Sequence, residues 1–237
     1  REQIPRFGGF ENATSAMIAQ NYEDYPYPRW ISMPRPEPGT RVTELREFFS
    51  DGELGFLERP FRVLVAGCGT GNKALNYALR YGPQAQVLGI DLSRASLAYA
   101  QRMARVYGVE NIEFLQMDLL SLPRFDGEFD IVECTGVLHH MDDPAAAGRA
   151  SVDRVRPGGL VHISLYSKLA RRGLAELRTR FDRPVAEVKD DDIRAFRFAL
   201  LTRDPEVVNR SLSLREDFFD LNRCKDLLFH PLEHLYT

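Results

Sequence analysis

Three glycines, Gly67, Gly69 and Gly71, and two separated acids, Asp91 and Asp118, are the residues of this 237-residue chain whose type and spacing point to chemistry. The glycines stand in Val63-Leu-Val-Ala-Gly67-Cys-Gly69-Thr-Gly71-Asn, directly after an apolar run. Lacking side chains, they allow a tight turn and let a ligand come close to the backbone. The spacing is Gly-x-Gly-x-Gly, and Asn72 stands where a dinucleotide fingerprint carries its third glycine. A pyrophosphate needs that close helix start; a ligand without phosphates does not. Asp91 ends a second apolar run about 20 residues on, where a carboxylate can accept both hydroxyls of a ribose. Asp118 ends a third run, placed to accept from an adenine amino group. Each acid also has a plainer reading as the cap of the helix that follows. Their joint placement with the glycines is what points to a nucleoside ligand.

The elements that would position these residues follow from periodicity. Short apolar runs at 62–66, 86–90, 112–117, 129–134 and 160–165 read as strands. Between the second and third runs, Leu97, Ala100, Ala104 and Tyr107 share one helical face, with Ser93 as N-cap and Gly108 as stop. The helix after the glycines carries Leu75, Ala78 and Leu79 and ends at Gly82. Strands alternating with helices predict an α/β fold: a Rossmann-like, doubly wound, mainly parallel sheet covered on both faces. We expect three parts: an ordered N-terminal extension over 1–58, a cofactor-binding core over 59–167, and a helical acceptor lid over 168–237. In the first part, Tyr22 to Trp30 and Pro34, Pro36 and Pro38 predict an extended loop held by aromatics, then a short helix over about 43–49. In the third, Asp190–Thr202 and Leu221–His230 read as helices, and the basic run Lys168–Arg183 reads as a solvated helix face or as a patch for an acidic substrate.

Composition narrows the function classes. Lys+Arg 31 against Asp+Glu 34 gives a net charge of −3, which argues against a general nucleic-acid binder. The 44% hydrophobic content is that of an ordinary globular protein. Cys68, Cys134 and Cys224 are too few and too scattered for a disulfide framework, so a reducing, cytoplasmic setting is expected. No apolar stretch approaches a membrane span, and no signal peptide is read at the start. His230-Pro-Leu-Glu-His234 matches a zinc-protease pattern, but Pro231 would break the helix that pattern needs, and no metal site is expected.

Taken together, Val65-Ala-Gly-Cys-Gly-Thr-Gly71, Gly89-Ile-Asp91, Met117-Asp118, Phe129-Asp-Ile-Val-Glu-Cys-Thr-Gly-Val-Leu-His-His140 and Arg156-Pro-Gly-Gly159 resemble the class I S-adenosylmethionine-dependent methyltransferases. The resemblance covers 63–166, and Arg156 to Gly159 is similar to the family's turn before the fifth strand. It implies S-adenosylmethionine as cofactor. Gly67, Cys68, Gly69, Thr70 and Gly71 would pass under its methionine part, and Asp91 with Leu92 would hold the ribose. Met117, Asp118 and Leu119 would frame the adenine, and Cys134 and Thr135 would line the floor near the sulfonium. Residues 20–30 and 227–237 are similar to methyltransferase domains attached to tetratricopeptide repeats. The family sheet adds two further strands that are not read here, so a longer chain with additional domains is expected.

A sulfonium methyl is already activated, so the protein's share is mostly alignment in a dry pocket. A base matters only for an acceptor that arrives protonated. His139 and His140, just after the fourth strand, are the candidate catalytic residues, His139 first; the alternative is that they orient the loop. Tyr22, Tyr25, Tyr27 and Trp30 either close over the ligand or pack the loop, and Arg29 is a candidate for the methionine carboxylate. Glu233 and His234 are candidates for acceptor binding. Glu133-Cys-Thr-Gly136 stands where base-amino methyltransferases carry Asn/Asp-Pro-Pro-Tyr/Phe, which lowers the case for nucleic acid. The acceptor is then an oxygen or nitrogen on a protein side chain or small molecule. Two other functions stay open at this point: an NAD(P)-dependent oxidoreductase, against which Asn72, Asp118 and the lack of a Tyr-x-x-x-Lys pair argue, and an inactive cofactor-binding scaffold.

Overall fold

The computed structural model describes residues 4–181, 183–204, 206 and 216–237. Asp182 and positions 205 and 207–215 of the expected lid therefore lie outside the described residues. Among those described, six strands form one parallel sheet. In chain order they are β1 (Arg6–Phe7), β2 (Phe61–Ala66), β3 (Ala85–Asp91), β4 (Ile112–Met117), β5 (Phe129–Thr135) and β6 (Val155–Ser164). Their order across the sheet is β1-β4-β3-β2-β5-β6. The chain winds outward from β2 in one direction through β3 and β4, then returns to build β5 and β6 on the other side. The turn after β2 thus sits where the winding reverses, the place at which open parallel sheets leave a crevice.

The two helices that flank this crevice form for local reasons. α4 (Asn72–Tyr81) and α5 (Arg94–Tyr107) bury Ala74, Leu75, Leu97 and Ala100 against the sheet. Ser93 accepts a hydrogen bond from Ser96 N, and Gly108 ends α5 in the left-handed region. Gly71, at φ +83°, starts α4, and a Cβ there would lie 2.5 Å from the Ala100 Cβ. The glycine therefore serves two ends at once: a backbone turn other residues resist and the close approach of α4 to α5. The remaining described helices are α1 (Ala13–Asp24), α2 (Thr40–Leu45), α3 (Asp51–Leu54), α6 (Pro144–Val152), α7 (Arg172–Arg178), α8 (Asp190–Arg203) and α9 (Leu221–Phe229).

Four sequence expectations are corrected here. The N-terminal segment is not extended throughout: α1 covers Tyr22, capped by Asn12, which accepts from Ser15 N at 2.7 Å. Pro26 forbids its continuation, and the chain is irregular from Tyr25 to Gly39. The single helix expected over 43–49 is two short ones, α2 and α3. β6 begins at Val155, not Leu160, because a register shift between Phe129 and Ile131 absorbs Pro157-Gly-Gly159 as a bulge. The basic run 168–183 is not a solvated face alone: Arg171 is buried and, with Arg178, pairs with Glu233. β1 had no sequence signal, being two residues long.

Gly71→Ala is expected to lower stability by about 2–3 kcal/mol, from a strained left-handed alanine plus a clash with Ala100. Gly108→Ala has a similar φ of +67° but open space around its Cβ, and is expected to cost only about 1 kcal/mol. Urea unfolding midpoints of the two variants check the difference.

Candidate functional site

The strand tips of β2, β3, β4 and β5 open onto one cavity of about 410 Å³. Gly67, Cys68 and Gly69 line it after β2, Asp91 and Leu92 after β3, Met117, Asp118 and Leu119 around the end of β4, and Thr135 and Gly136 after β5. The glycine loop, the ribose-type acid and the base-type acid of the sequence reading therefore do face a shared space.

Asp91 organises the near end. Its Oδ2 accepts from Gly69 N at 2.8 Å and its Oδ1 from Ser93 N at 2.9 Å. One carboxylate thus ties the glycine loop to the start of α5. Burial raises the pKa of Asp91 above the ordinary carboxylate value, and the hydrogen bonds from Ser93 and Gly69 oppose that rise. Asp118, 1% exposed, accepts from Leu120 N and from Glu11 N, both at 3.0 Å. It is at once the cap of the 3-10 turn Leu119–Arg124 and part of the cavity wall. Each carboxylate oxygen carries a second lone pair, so both acids keep acceptor capacity toward a ligand.

The far end is aromatic and polar. Tyr22 donates to Asp226 Oδ1 at 2.9 Å, and both line the cavity together with Tyr27, His140 and Tyr166. Burial pushes Asp226 up to about 6, with the Tyr22 hydrogen bond opposing. The same burial pushes the phenols of Tyr22 and Tyr27 well above their ordinary range, and holds His140 down at about 4 and therefore neutral. Lys73 supplies a cation in the wall; its Nζ donates to Thr135 Oγ1 at 2.6 Å.

Other predicted residues lie outside the wall. Trp30 is buried beneath it, donating from Nε1 to the Thr70 carbonyl and hydroxyl at 3.2 and 3.1 Å. Thr70 in turn donates from its amide to Tyr27 O and from its hydroxyl to Pro28 O. Thr70, Gly71 and Trp30 thus shape the loop from behind instead of touching the cavity. Arg29 is exposed and pairs with Asp220 at 3.4 Å, away from any carboxylate site. Tyr25 donates to Asp190. Cys134 is fully buried among Ala66, Val132 and Ala147, because strand alternation turns it to the core and leaves Thr135 facing the cavity. Burial raises the thiols of Cys68 and Cys134, which keeps both protonated.

The two histidines are placed differently. His139 is 1% exposed, stacked on Tyr166 with ring centroids 3.5 Å apart, and absent from the cavity wall; His140 is in it. Glu233 and His234 do not reach the acceptor end either. Glu233 is clamped by Arg171 at 2.6 Å and by Arg178, and His234 binds Met141 O through Nε2 at 3.0 Å. Sequence reasoning missed Lys73, Tyr166, Asp226 and the α1 residues Thr14 and Ser15 in the wall. Lys73, two residues past the last loop glycine, was findable from its position. Asp226 carried no local signal, since its partner Tyr22 is 204 residues away in the chain.

Comparison with known proteins agrees with this geometry. Residues 63–159 match the family model of a methyltransferase domain. An uncharacterized protein of Synechococcus is 32% identical over 182 residues, 75% of this chain and 43% of the relative. A ubiquinone biosynthesis O-methyltransferase of Acinetobacter baumannii is 34% identical over 140 residues, 59% of this chain and 57% of the relative. The chain thus spans about half the length of these relatives. Among solved structures, PKMT2 from Rickettsia typhi in complex with AdoHcy has the same fold, with TM-score 0.53 and 22% identity over 80% of this chain and 37% of that one.

The buried state of His139 makes stability depend on pH. Desolvation depresses its folded-state value to about 3, from an ordinary 6.5. Below pH 6.5 the unfolded chain takes up a proton that the folded ring refuses, so stability falls as the pH falls, by up to about 1.4 kcal/mol per unit. His139→Phe keeps a ring against Tyr166 and removes that proton. Its melting temperature is expected to drop less steeply than wild type between pH 6.5 and 5, as read by circular dichroism.

Proposed function

We propose that this chain, whose residues 63–159 form a class I S-adenosylmethionine-dependent methyltransferase domain, moves a methyl group to an oxygen or nitrogen acceptor on a small molecule or protein side chain. One observation supports this above the others: Asp91 and Asp118, on adjacent strand tips, share a single cavity with the glycine loop. The cavity fits the cofactor in the chemistry of its donors. Asp91 has lone pairs left for ribose hydroxyls, and Leu92, Met117 and Leu119 offer apolar walls to a flat base beside Asp118. Lys73, not Arg29, is the cation placed to meet the methionine carboxylate. When bound, the cofactor supplies a methyl group already activated on a sulfonium.

The protein's own work is then to orient and to exclude water. Tyr22 and Tyr27 bring aromatic rings to the wall, and an aromatic face attracts a cation. An acceptor entering at that end meets His140, the imidazole on the wall; His139 acts behind it by stacking under Tyr166. The likeness to the Acinetobacter relative, an O-methyltransferase, supports oxygen as the acceptor atom. The likeness of 20–30 and 227–237 to methyltransferase domains joined to tetratricopeptide repeats belongs to the same proposal.

S-adenosylmethionine or its demethylated product is expected to raise the melting temperature, and NAD or NADP to leave it unchanged; the converse result refutes the proposal. Asp91→Asn is expected to weaken S-adenosylmethionine binding roughly 10–100-fold, the scale of a lost charged hydrogen bond in a buried site. Isothermal titration calorimetry reads the affinity, and an unchanged value removes Asp91 from the cofactor site.

A further inference from the structure

His140, Asp226 and His230 come together from three places in the chain: the turn after β5, the body of α9 and the residue that ends α9. All three are buried, and one potential ligand atom from each lies within 4.8 Å of the other two. The two imidazole rings are stacked with centroids 3.5 Å apart. We propose that these three side chains bind a divalent transition-metal ion of the zinc class at the far end of the cavity. The inference stands on these side chains and does not depend on the methyl-transfer reading.

Hydrogen bonding sets both histidines up as ligands through the same nitrogen. The carbonyl of Leu232 lies 2.7 Å from Nδ1 of His140 and 2.6 Å from Nδ1 of His230. A carbonyl oxygen can only accept, so each Nδ1 carries the proton and each Nε2 keeps the lone pair. The Leu232 amide lies farther from the same His230 nitrogen, at 3.2 Å, and the shorter carbonyl contact decides the tautomer. A backbone carbonyl holding the far nitrogen is how metal-binding imidazoles are usually oriented. His230 Nε2 is also a buried polar atom with no hydrogen-bond partner among the described residues. An unpaired nitrogen in that position carries a desolvation cost that a metal bond would remove.

The third ligand fits the same pattern. Tyr22 occupies Asp226 Oδ1 only once, so the carboxylate has lone pairs to give. Two imidazoles and one carboxylate favour zinc, cobalt or iron(II) over magnesium or calcium, which prefer oxygen alone. Three protein ligands leave at least one position open, and His140 and Asp226 place it toward the cavity where an acceptor would enter. Tetrahedral bonding at about 2.0–2.1 Å puts donors roughly 3.4 Å apart, so separations of up to 4.8 Å must close by up to about 1.4 Å while the two stacked rings splay apart, a side-chain adjustment. The cluster shares only His230 with the zinc-protease pattern of the sequence: Glu233 and His234 of that pattern point to Arg171, Arg178 and Met141 instead.

Chelator-treated protein titrated with Co²⁺ tests the site without any cofactor or methyl acceptor. One equivalent is expected to give a visible ligand-field band, which Zn²⁺ then abolishes by competition. Asp226→Asn and His230→Gln are expected to weaken Co²⁺ binding at least tenfold, and His162→Gln, a half-exposed imidazole bonded to Glu133, to leave it unchanged. Circular dichroism establishes that each variant folds; should His230→Gln fail, Asp226→Asn and His140→Gln carry the test. No band with wild type, or a band that survives in the cluster variants, overturns the proposal. A positive thermal shift with S-adenosylmethionine alongside a negative Co²⁺ result would sink the metal site alone.

Discussion

A single buried carboxylate makes the cavity possible. Asp91 accepts from Gly69 on one side and Ser93 on the other, so the loop that leaves β2 and the helix that leaves β3 are held by the same group. The loop needs such a restraint. Its three glycines all adopt left-handed φ values, +64°, +53° and +83°, and glycine loses more freedom on ordering than any other residue. Charge-assisted hydrogen bonds, roughly twice as strong as neutral ones, offset that loss. The group that a ribose would use as an acceptor is therefore also the group that shapes the turn beside it, and the site is preformed in its own backbone.

The loop is held from the other side by a segment distant in sequence. Tyr27 and Pro28 present their carbonyls to Thr70, Trp30 reaches the same residue from below, and a side chain at Gly69 would collide with the Tyr27 carbonyl. Val137 closes on Gly67 in the same way. Glycine is thus required at 67 and 69 by close packing as well as by φ, before any ligand is considered. This separates two reasons for a glycine-rich loop that look alike in sequence.

The parts legible in the sequence were those whose signals are local. The β2 to β5 strands, the α4 and α5 helices, Ser93 as cap and Gly82 and Gly108 as stops follow from periodicity and end residues. Asp91 and Asp118 followed from standing at strand ends. The aromatic and charged residues were harder, because their neighbours are set by tertiary contacts. Tyr22 and Trp30 looked equivalent in the sequence, yet one points into the cavity and the other beneath the loop. Strand alternation could have separated Cys134 from Thr135, since the residue after a core-facing position faces the other way. For His139 and His140, adjacent residues in a 3-10 turn, no such rule applies.

The C-terminal segment shows why its charges could not be read as surface. Arg171 and Arg178 do more than pair with Glu233: their guanidinium groups also donate to the carbonyls of Leu227 and Leu228, at the end of α9. The last carbonyls of a helix lack partners of their own and sit at its negative end, so cations there serve as caps. Arg171 also lies over the Tyr166 ring at 3.6 Å, with His139 stacked against that ring. One buried cluster therefore joins α7, α9, the segment after β6 and the turn after β5, and so fixes the wall that carries His140, Tyr166 and Asp226. Removing only one member of such a cluster strands a charge in the interior, a cost of several kcal/mol that an exposed pair would not incur. The far end of the cavity thus rests on ion pairs formed between residues more than fifty positions apart, as the near end rests on Asp91.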